Sequence, residues 1–377
     1  MQKIKGTSKN WFLICPARHI ASLFFLLIII SFYIFRSIDG FAQTFTEKFS
    51  FPILHSLGSF FNVLPFSACS FLISFFAATV LLYIIITIYK LLRKSQKLST
   101  AYKGCITIIS LALFVFSGYC TLWGICYYAP SFKDRSKIET APIMTEQLAE
   151  VTRYFASLAN YYGETVERND HDIFSEDVDE LFSKSPHIFD NISAVFPFLD
   201  GPNLTAKKFF PSQLLSYMGF TGFIFPFTGE ANLNYKSTAS HLPVVIAHEI
   251  AHQRGVAAED EANFVAILAC MLSEDDAFCY SACILAYTYL GNALCKVDME
   301  TWNEISATLS DGVKNDISNN RSYWAKYDSA ITTASQTIYS GFLQSNGQAL
   351  GMRSYDACVD LLVAYYLPYA LLGGHTS

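Results

Sequence analysis

The sequence predicts a membrane anchor of three α-helical spans followed by a mainly α-helical domain with a small edge strand or sheet. Three observations carry this prediction. Of the 377 residues, 52% are hydrophobic and 16% aromatic, and the mean hydropathy is +0.30, too apolar for an ordinary soluble chain. From Phe49 to Tyr89 there is no Asp, Glu, Lys or Arg. Charge is also divided unevenly: residues 1–130 carry a net +9, and residues 131–377 a net −15, within a total of −6. The acidic half is a poor partner for nucleic acid, and an anionic membrane surface repels it.

The anchor occupies residues 1–130. A basic N-terminus with Lys3, Lys5, Lys9 and Arg18 precedes the apolar run His19–Phe35, which is just long enough to span a bilayer. A signal peptide has the same charge order. No small-x-small cleavage site follows at once and further spans come next, so the run reads as an uncleaved anchor. Arg36–Pro65 is a connector with some amphipathic content. The second span falls at about 66–89 and the third at about 104–129, which closes on Tyr127-Tyr128 at an interface. Between them the 90–103 loop carries Lys90, Arg93, Lys94, Lys97 and Lys103. The positive-inside rule then sets the N-terminus and this loop in the cytoplasm of a cell membrane, and everything after Pro130 outside it.

Residues 131–377 are long enough for a core of their own. Leu148, Val151, Phe155, Leu158 and Tyr162 keep helical spacing within Ile143–Tyr162. Glu164–Pro211 reads as irregular with short helices. Phe220–Phe227 is the best strand candidate, which Pro226 would confine to an edge, with an ordinary hydrophobic loop as the alternative. Ala277–Cys295 is charge-free and barely of span length, yet Ser281, Thr288, Gly291 and Asn292 dilute it, so it is expected as a buried core helix. Helices are also expected at Met299–Leu309, Asn319–Phe342 and Asp356–Leu372, the last interrupted near Pro368. Ten cysteines, five in each half and none in a CxxC pair, form no disulfide framework and read mostly as small buried hydrophobes.

The chemistry lies in Pro243–Leu272. His248-Glu249-Ile250-Ala251-His252 is an HExxH pattern. On a helix the two imidazoles lie one turn apart on the same face, where they can share one tetrahedral metal. Glu249 falls beside the open position and can take a proton from a bound water. Gly255 tolerates positive φ and can end that helix. A second helical run follows from Ala257, opening on Glu259-Asp260-Glu261. A zinc site of this kind wants a third protein ligand, for which Glu259 is the candidate. If the Gly255 turn fails to bring it back, Glu261 is the alternative. Asp260 and Glu261 are otherwise expected to be solvated at a helix N-terminus. Asn263 shares the Glu259 face and can orient a ligand from behind.

The segment 247–264, AHEIAHQRGVAAEDEANF, resembles zinc metallopeptidases of the gluzincin type. In that group a Glu on a following helix, in an ExxxD-like pattern, completes the site; Glu259 and Asn263 match it with Asn in place of Asp. Together with 214–234 and 353–366, the segment is similar to an uncharacterised family of bacterial membrane proteins, domain of unknown function 3810. The resemblance implies three N-terminal spans, a zincin-like ectodomain and a zinc (Zn2+) peptidase acting on a peptide or protein substrate. It names no substrate.

Other residues are more open. Glu230 and Asn232 can line a substrate groove or be polar turn residues after Gly229. Arg353 and Tyr355 can stabilise an oxyanion or form buried pairs. Arg254 reads as a structural residue, and His241 as a helix-start residue. Two other function classes remain beside the peptidase. A membrane-anchored scaffold or sensor would keep a structural or vestigial zinc site, but would have no use for Glu249. Intramembrane proteolysis would place the motif inside a span, where Arg254, Glu259, Asp260 and Glu261 are costly.

Overall fold

The computed structural model describes residues 11–93, 97–348 and 355–373. The chain is overwhelmingly helical. Its first part comprises α1 (Pro16–Phe35), α2 (Phe41–Phe45), α3 (Phe51–Asn62), α4 (Ala68–Arg93) and α5 (Lys97–Leu122), with a π-helical turn at Thr46–Ser50 joining α2 to α3. The third long helix thus lies earlier than expected. It begins inside the basic segment, and Trp123 diverts the chain into a 3-10 turn at Gly124–Tyr128. Hydropathy marks the apolar run but not where the backbone turns. Lys94 lies outside the described residues.

The remainder comprises α6 (Phe132–Ser136), α7 (Thr145–Gly163), α8 (Val178–Lys184), α9 (Asp190–Val195), β1 (Lys207–Lys208), α10 (Ser212–Met218), β2 (Gly222–Phe225), β3 (Glu230–Leu233), α11 (Leu242–Gln253), α12 (Glu259–Leu272), α13 (Asp276–Val297), α14 (Met299–Ala307), α15 (Asp311–Ala325), α16 (Ala330–Ser345) and α17 (Tyr355–Leu371). The helix expected over Asn319–Phe342 is therefore two helices. Ser329 accepts from the Thr332 backbone N–H and starts α16 afresh, as an N-cap serine does. Ile331 and Ile338 are exposed. Pro368 lies inside α17 without interrupting it.

Among the described residues, four helices are long and apolar enough to cross a membrane, one more than the sequence reading counts. Three of them, α1, α4 and α5, keep only 0–11% of their apolar window buried within the fold. The fourth, α13, is 67% buried and packs against α7, α12 and α17. Its apolar side chains, among them Phe278, Tyr280, Ile284 and Leu290, are fully enclosed by protein. Burying a side chain of this size contributes roughly 1.5–3 kcal/mol. Asp275 caps the helix through the Ala277 and Phe278 amides.

The sheet is small, in the order β1-β3-β2. β1 runs parallel to β3, with Lys207 opposite Asn232. β2 runs antiparallel to it, with Gly222 opposite Leu233 and Phe225 opposite Glu230. The expected edge strand is thus present but shorter, and β3, which the alternation did not reveal, is wholly buried. α11 lies over β2 and β3.

The sheet is pinned to the top of α4. Glu230 accepts hydrogen bonds from the Ala68 amide at 2.9 Å, the Cys69 amide at 2.8 Å and the Thr228 hydroxyl at 2.8 Å. It thereby satisfies backbone donors that a helix N-terminus leaves unpaired. Asn232 Oδ1 accepts from Ser67 Oγ at 2.6 Å. Both residues are buried joints between the sheet and α4 rather than the lining of an open groove. Residues on both sides of position 130 therefore build one unit.

Candidate metal centre

α11 starts with Pro243 in its first turn. The Val244 amide, which no preceding turn can satisfy, donates to Ser281 Oγ on α13 at 3.1 Å. The helix is buried on nearly every side. His248 and His252 project from it one turn apart, with ring centroids 4.7 Å apart.

The helix ends in a reversal that its sequence dictates. The Val256 amide donates to Ala251 O at 3.0 Å and the Gly255 amide to His252 O at 2.9 Å, the paired bonds of a Schellman ending. Gly255 adopts φ +92°, and a Cβ there would meet the Phe51 ring of α3 at 2.3 Å. Only glycine meets both conditions. The reversal places Val256 O 2.6 Å from His252 Nδ1. With Nδ1–H donating to that carbonyl, Nε2 keeps its lone pair for the centre.

α12 then begins at Glu259, directly over the two rings. Glu259 Oε2 lies 3.3 Å from His248 Nε2, and Oε1 lies 3.7 Å from His252 Nε2. One ligand atom from each of the three residues falls within a 4.8 Å cluster that could hold a metal ion. Burial opposes charge on the Glu259 carboxyl, but the two imidazoles outweigh it and hold its pKa well below the ordinary value. Burial likewise disfavours charged His252, and the Glu259 carboxylate outweighs it, raising its pKa to about 9. In the metal-free protein the acid and the base hold each other charged.

Glu249 lies close enough to His248, His252 and Glu259 to interact with all three electrostatically. It is 2% exposed, and its Oε2 has no hydrogen-bond partner. Desolvation raises its pKa to about 7. A buried carboxylate oxygen without a partner is costly. Its neighbour is the edge strand: a Cβ on Gly222 of β2 would come within 2.6 Å of Glu249 Oε1.

Two expectations about the acidic run are corrected. Glu261 is 6% exposed rather than solvated, because its carboxylate accepts from the Phe132 and Lys133 amides at 2.7 and 3.0 Å and caps α6. That role points it away from the three donors. Asp260 is half-buried. Asn263 is half-buried one turn beyond Glu259, and His248 Nδ1 has no hydrogen-bond partner.

Residues the sequence reading missed complete the surroundings. Tyr339 of α16 donates its hydroxyl to Glu259 Oε1. Burial first, and then that carboxylate, raise the phenol's pKa. Trp123, just past the end of α5, meets the His252 ring edge-on at 5.8 Å. Phe220 packs edge-on against Tyr339 at 5.1 Å. Trp123 and Tyr339 lie far in sequence from the motif and carry no local signal, whereas Phe220 opens the expected strand. Arg353 lies outside the described residues, as does the side chain of Tyr355 at the start of α17.

No curated protein and no solved structure matches the chain. One family model does, that of "Protein of unknown function (DUF3810)", over residues 45–363. It takes in the sheet, the whole candidate centre, α4 and α5, and leaves α1 outside, so the match is shorter than the resemblance across three spans suggested. A match over this much of the chain shows that the protein belongs to the DUF3810 family.

Proposed function

We infer that this protein is a membrane-anchored zinc metallopeptidase. The observation that carries the reading is the convergence of His248, His252 and Glu259 within 4.8 Å beside a buried glutamate with an unpartnered oxygen. Two imidazoles and one carboxylate are a donor set that suits zinc and leaves a fourth position open. The fixed His252 tautomer and the orphaned Glu249 Oε2 both fit such an ion. Zinc, when bound there, supplies a Lewis acid that polarises a water and a substrate carbonyl.

The chain's own residues would do the rest. Glu249 Oε2 takes the proton from the attacking water and delivers it to the leaving amine nitrogen. Its burial, which raises the pKa to about 7, matches a group that must both accept and return a proton near neutrality. Trp123 packs on His252, and Phe220 packs on Tyr339, which donates to Glu259. β2 is an edge strand alongside Glu249, and an extended peptide can add to such an edge through backbone hydrogen bonds. A structural or vestigial zinc site would give no account of the unpartnered Glu249 oxygen.

In this reading α1, α4 and α5 cross the cell membrane, α13 is a core helix, and the basic residues near 90–103 hold their end of the anchor in the cytoplasm. The centre then faces the outside. The test is a peptide-library digest by the full chain in detergent with zinc supplied. Wild-type protein is expected to cleave, and Glu249→Gln to lose activity by several orders of magnitude. Equal cleavage by both would refute the reading.

A further inference from the structure

Three segments without a single Asp, Glu, Lys or Arg meet at one face of the protein. They are Phe49–Tyr89, Phe209–Gly229 and Ser329–Gln348. The last two lie in the strongly acidic half of the chain, where uninterrupted neutral runs of this length are unexpected on a wet surface.

The structure joins the three at the domain-side end of α4. The Phe210 amide donates to Ser70 Oγ, in the first turn of α4, at 3.0 Å. Thr332 of α16 donates to Tyr217 O of α10 at 3.1 Å. The apolar side chains here point outward. Val63 is 81% exposed, Phe210 70%, Leu214 50% and Ile338 74%. Phe66 packs ring to ring on Phe71 of α4 at 4.8 Å, and Phe71 is itself exposed on a helix with none of its apolar window buried in the fold. The apolar patch is thus continuous with the surface that α4 presents to lipid. An exposed apolar patch of this kind marks an interaction site. Its continuity with the span, its depth at the span's first turn and its lack of charge all select the bilayer as the occupant.

The patch is also coupled to the centre. Ile338 is exposed, and the next residue, Tyr339, donates to Glu259. Gly118, in the last turns of α5, lies against Phe227 of the hairpin that carries β2; a Cβ there would sit 2.5 Å from that ring.

We propose that the α3–α4 corner, α10 and the outer face of α16 form an apolar foot seated in the interfacial layer of the bilayer, so that the centre works at the lipid surface on peptide segments held there. The foot stands on its own evidence; the choice of substrate class rests on the peptidase reading. Neutral side chains at this face remove the repulsion that the acidic domain would otherwise meet at anionic lipid. They also set β2, the strand a peptide would join, beside the membrane.

The experiment uses the full chain in phosphatidylcholine–phosphatidylglycerol vesicles. Cys105 and Cys295, the cysteines not buried, are replaced by Ser. An environment-sensitive fluorophore is then attached in turn to Leu214→Cys, Ile338→Cys, Phe71→Cys and, on a polar surface loop, Asp170→Cys. Lipids with a nitroxide near the headgroup should quench the first three at least twofold and leave Asp170→Cys unchanged. Quenching confined to Phe71→Cys, as would follow if a second copy or another protein covered the patch, overturns the foot. This readout does not depend on catalysis. The second arm compares one cleavable peptide with and without an acyl anchor at equal bulk concentration. The anchored form should turn over at least tenfold faster. Equal turnover, with quenching intact, overturns the surface-bound substrate class alone, whereas cleavage of neither form overturns the peptidase reading and leaves the foot standing.

Discussion

His252 Nδ1 lies 2.6 Å from the carbonyl oxygen of Val256, four residues ahead on the far side of the Gly255 reversal. This contact links the backbone turn to the chemistry. The turn that brings Glu259 back over the histidines also supplies the acceptor that aims His252 Nε2 at it.

The pairing of His252 with Glu259 predicts a pH-dependent metal affinity. In the metal-free protein the His252 pKa is raised to about 9, because the Glu259 carboxylate outweighs burial. A raised folded-state pKa adds stability that is fully present below about 6.5 and is lost as pH rises through about 9. A metal takes only the neutral imidazole, so zinc must displace this proton. Its apparent affinity should rise about tenfold per pH unit up to about pH 9. Calorimetric titration in buffers of different ionisation enthalpy should count about one proton released per zinc at pH 7.5 from this residue, and none in Glu259→Gln.

Gly222 is expected to be required for catalysis, not for metal. An alanine Cβ would press on Glu249 Oε1 at 2.6 Å and displace the base. Gly222→Ala should lower kcat/KM by about tenfold to a hundredfold, the range for a base moved by roughly 1 Å. Zinc content measured on the same sample should match wild type. A loss of zinc instead would mean that the strand supports the ligands.

Tyr339→Phe removes the hydroxyl that bonds Glu259 Oε1. Removing such support from behind a ligand weakens metal binding by about tenfold. Competition against a chelator of known affinity checks this. An unchanged affinity would show that the hydroxyl serves another partner when zinc is bound.

Glu261→Gln should act on folding alone. Its carboxylate caps α6 through two amides, and a buried bond of this kind is worth about 1–3 kcal/mol. The melting temperature should fall while zinc affinity stays at the wild-type level. The reverse pattern would make Glu261 a ligand.

The elements with local codes were legible. The HExxH spacing, the glycine after it and the acid run beyond gave α11, the reversal and α12. The hydropathy of α1, α4 and α5 gave the apolar helices, and Pro226 marked the edge of the sheet. What the sequence hid depends on contacts between distant segments. Glu230 and Asn232 read as groove-lining or turn residues because nothing nearby shows that Glu230 caps α4 through the Ala68 and Cys69 amides and that Asn232 accepts from Ser67 Oγ. Glu261 read as solvated because its partners are the amides of Phe132 and Lys133. Tyr339 lies 80 residues beyond Glu259, to which it donates.

The most direct test of the central claim is zinc titration into the full-length wild type, Glu249→Gln and Glu259→Gln. Wild type and Glu249→Gln should each bind about one zinc per chain with the same affinity, as expected for a three-ligand site whose base does not touch the metal. Glu259→Gln should bind at least about tenfold more weakly, on the order of 1.4 kcal/mol or more. Wild-type affinity in Glu259→Gln, or no zinc bound by the wild type, would contradict the account.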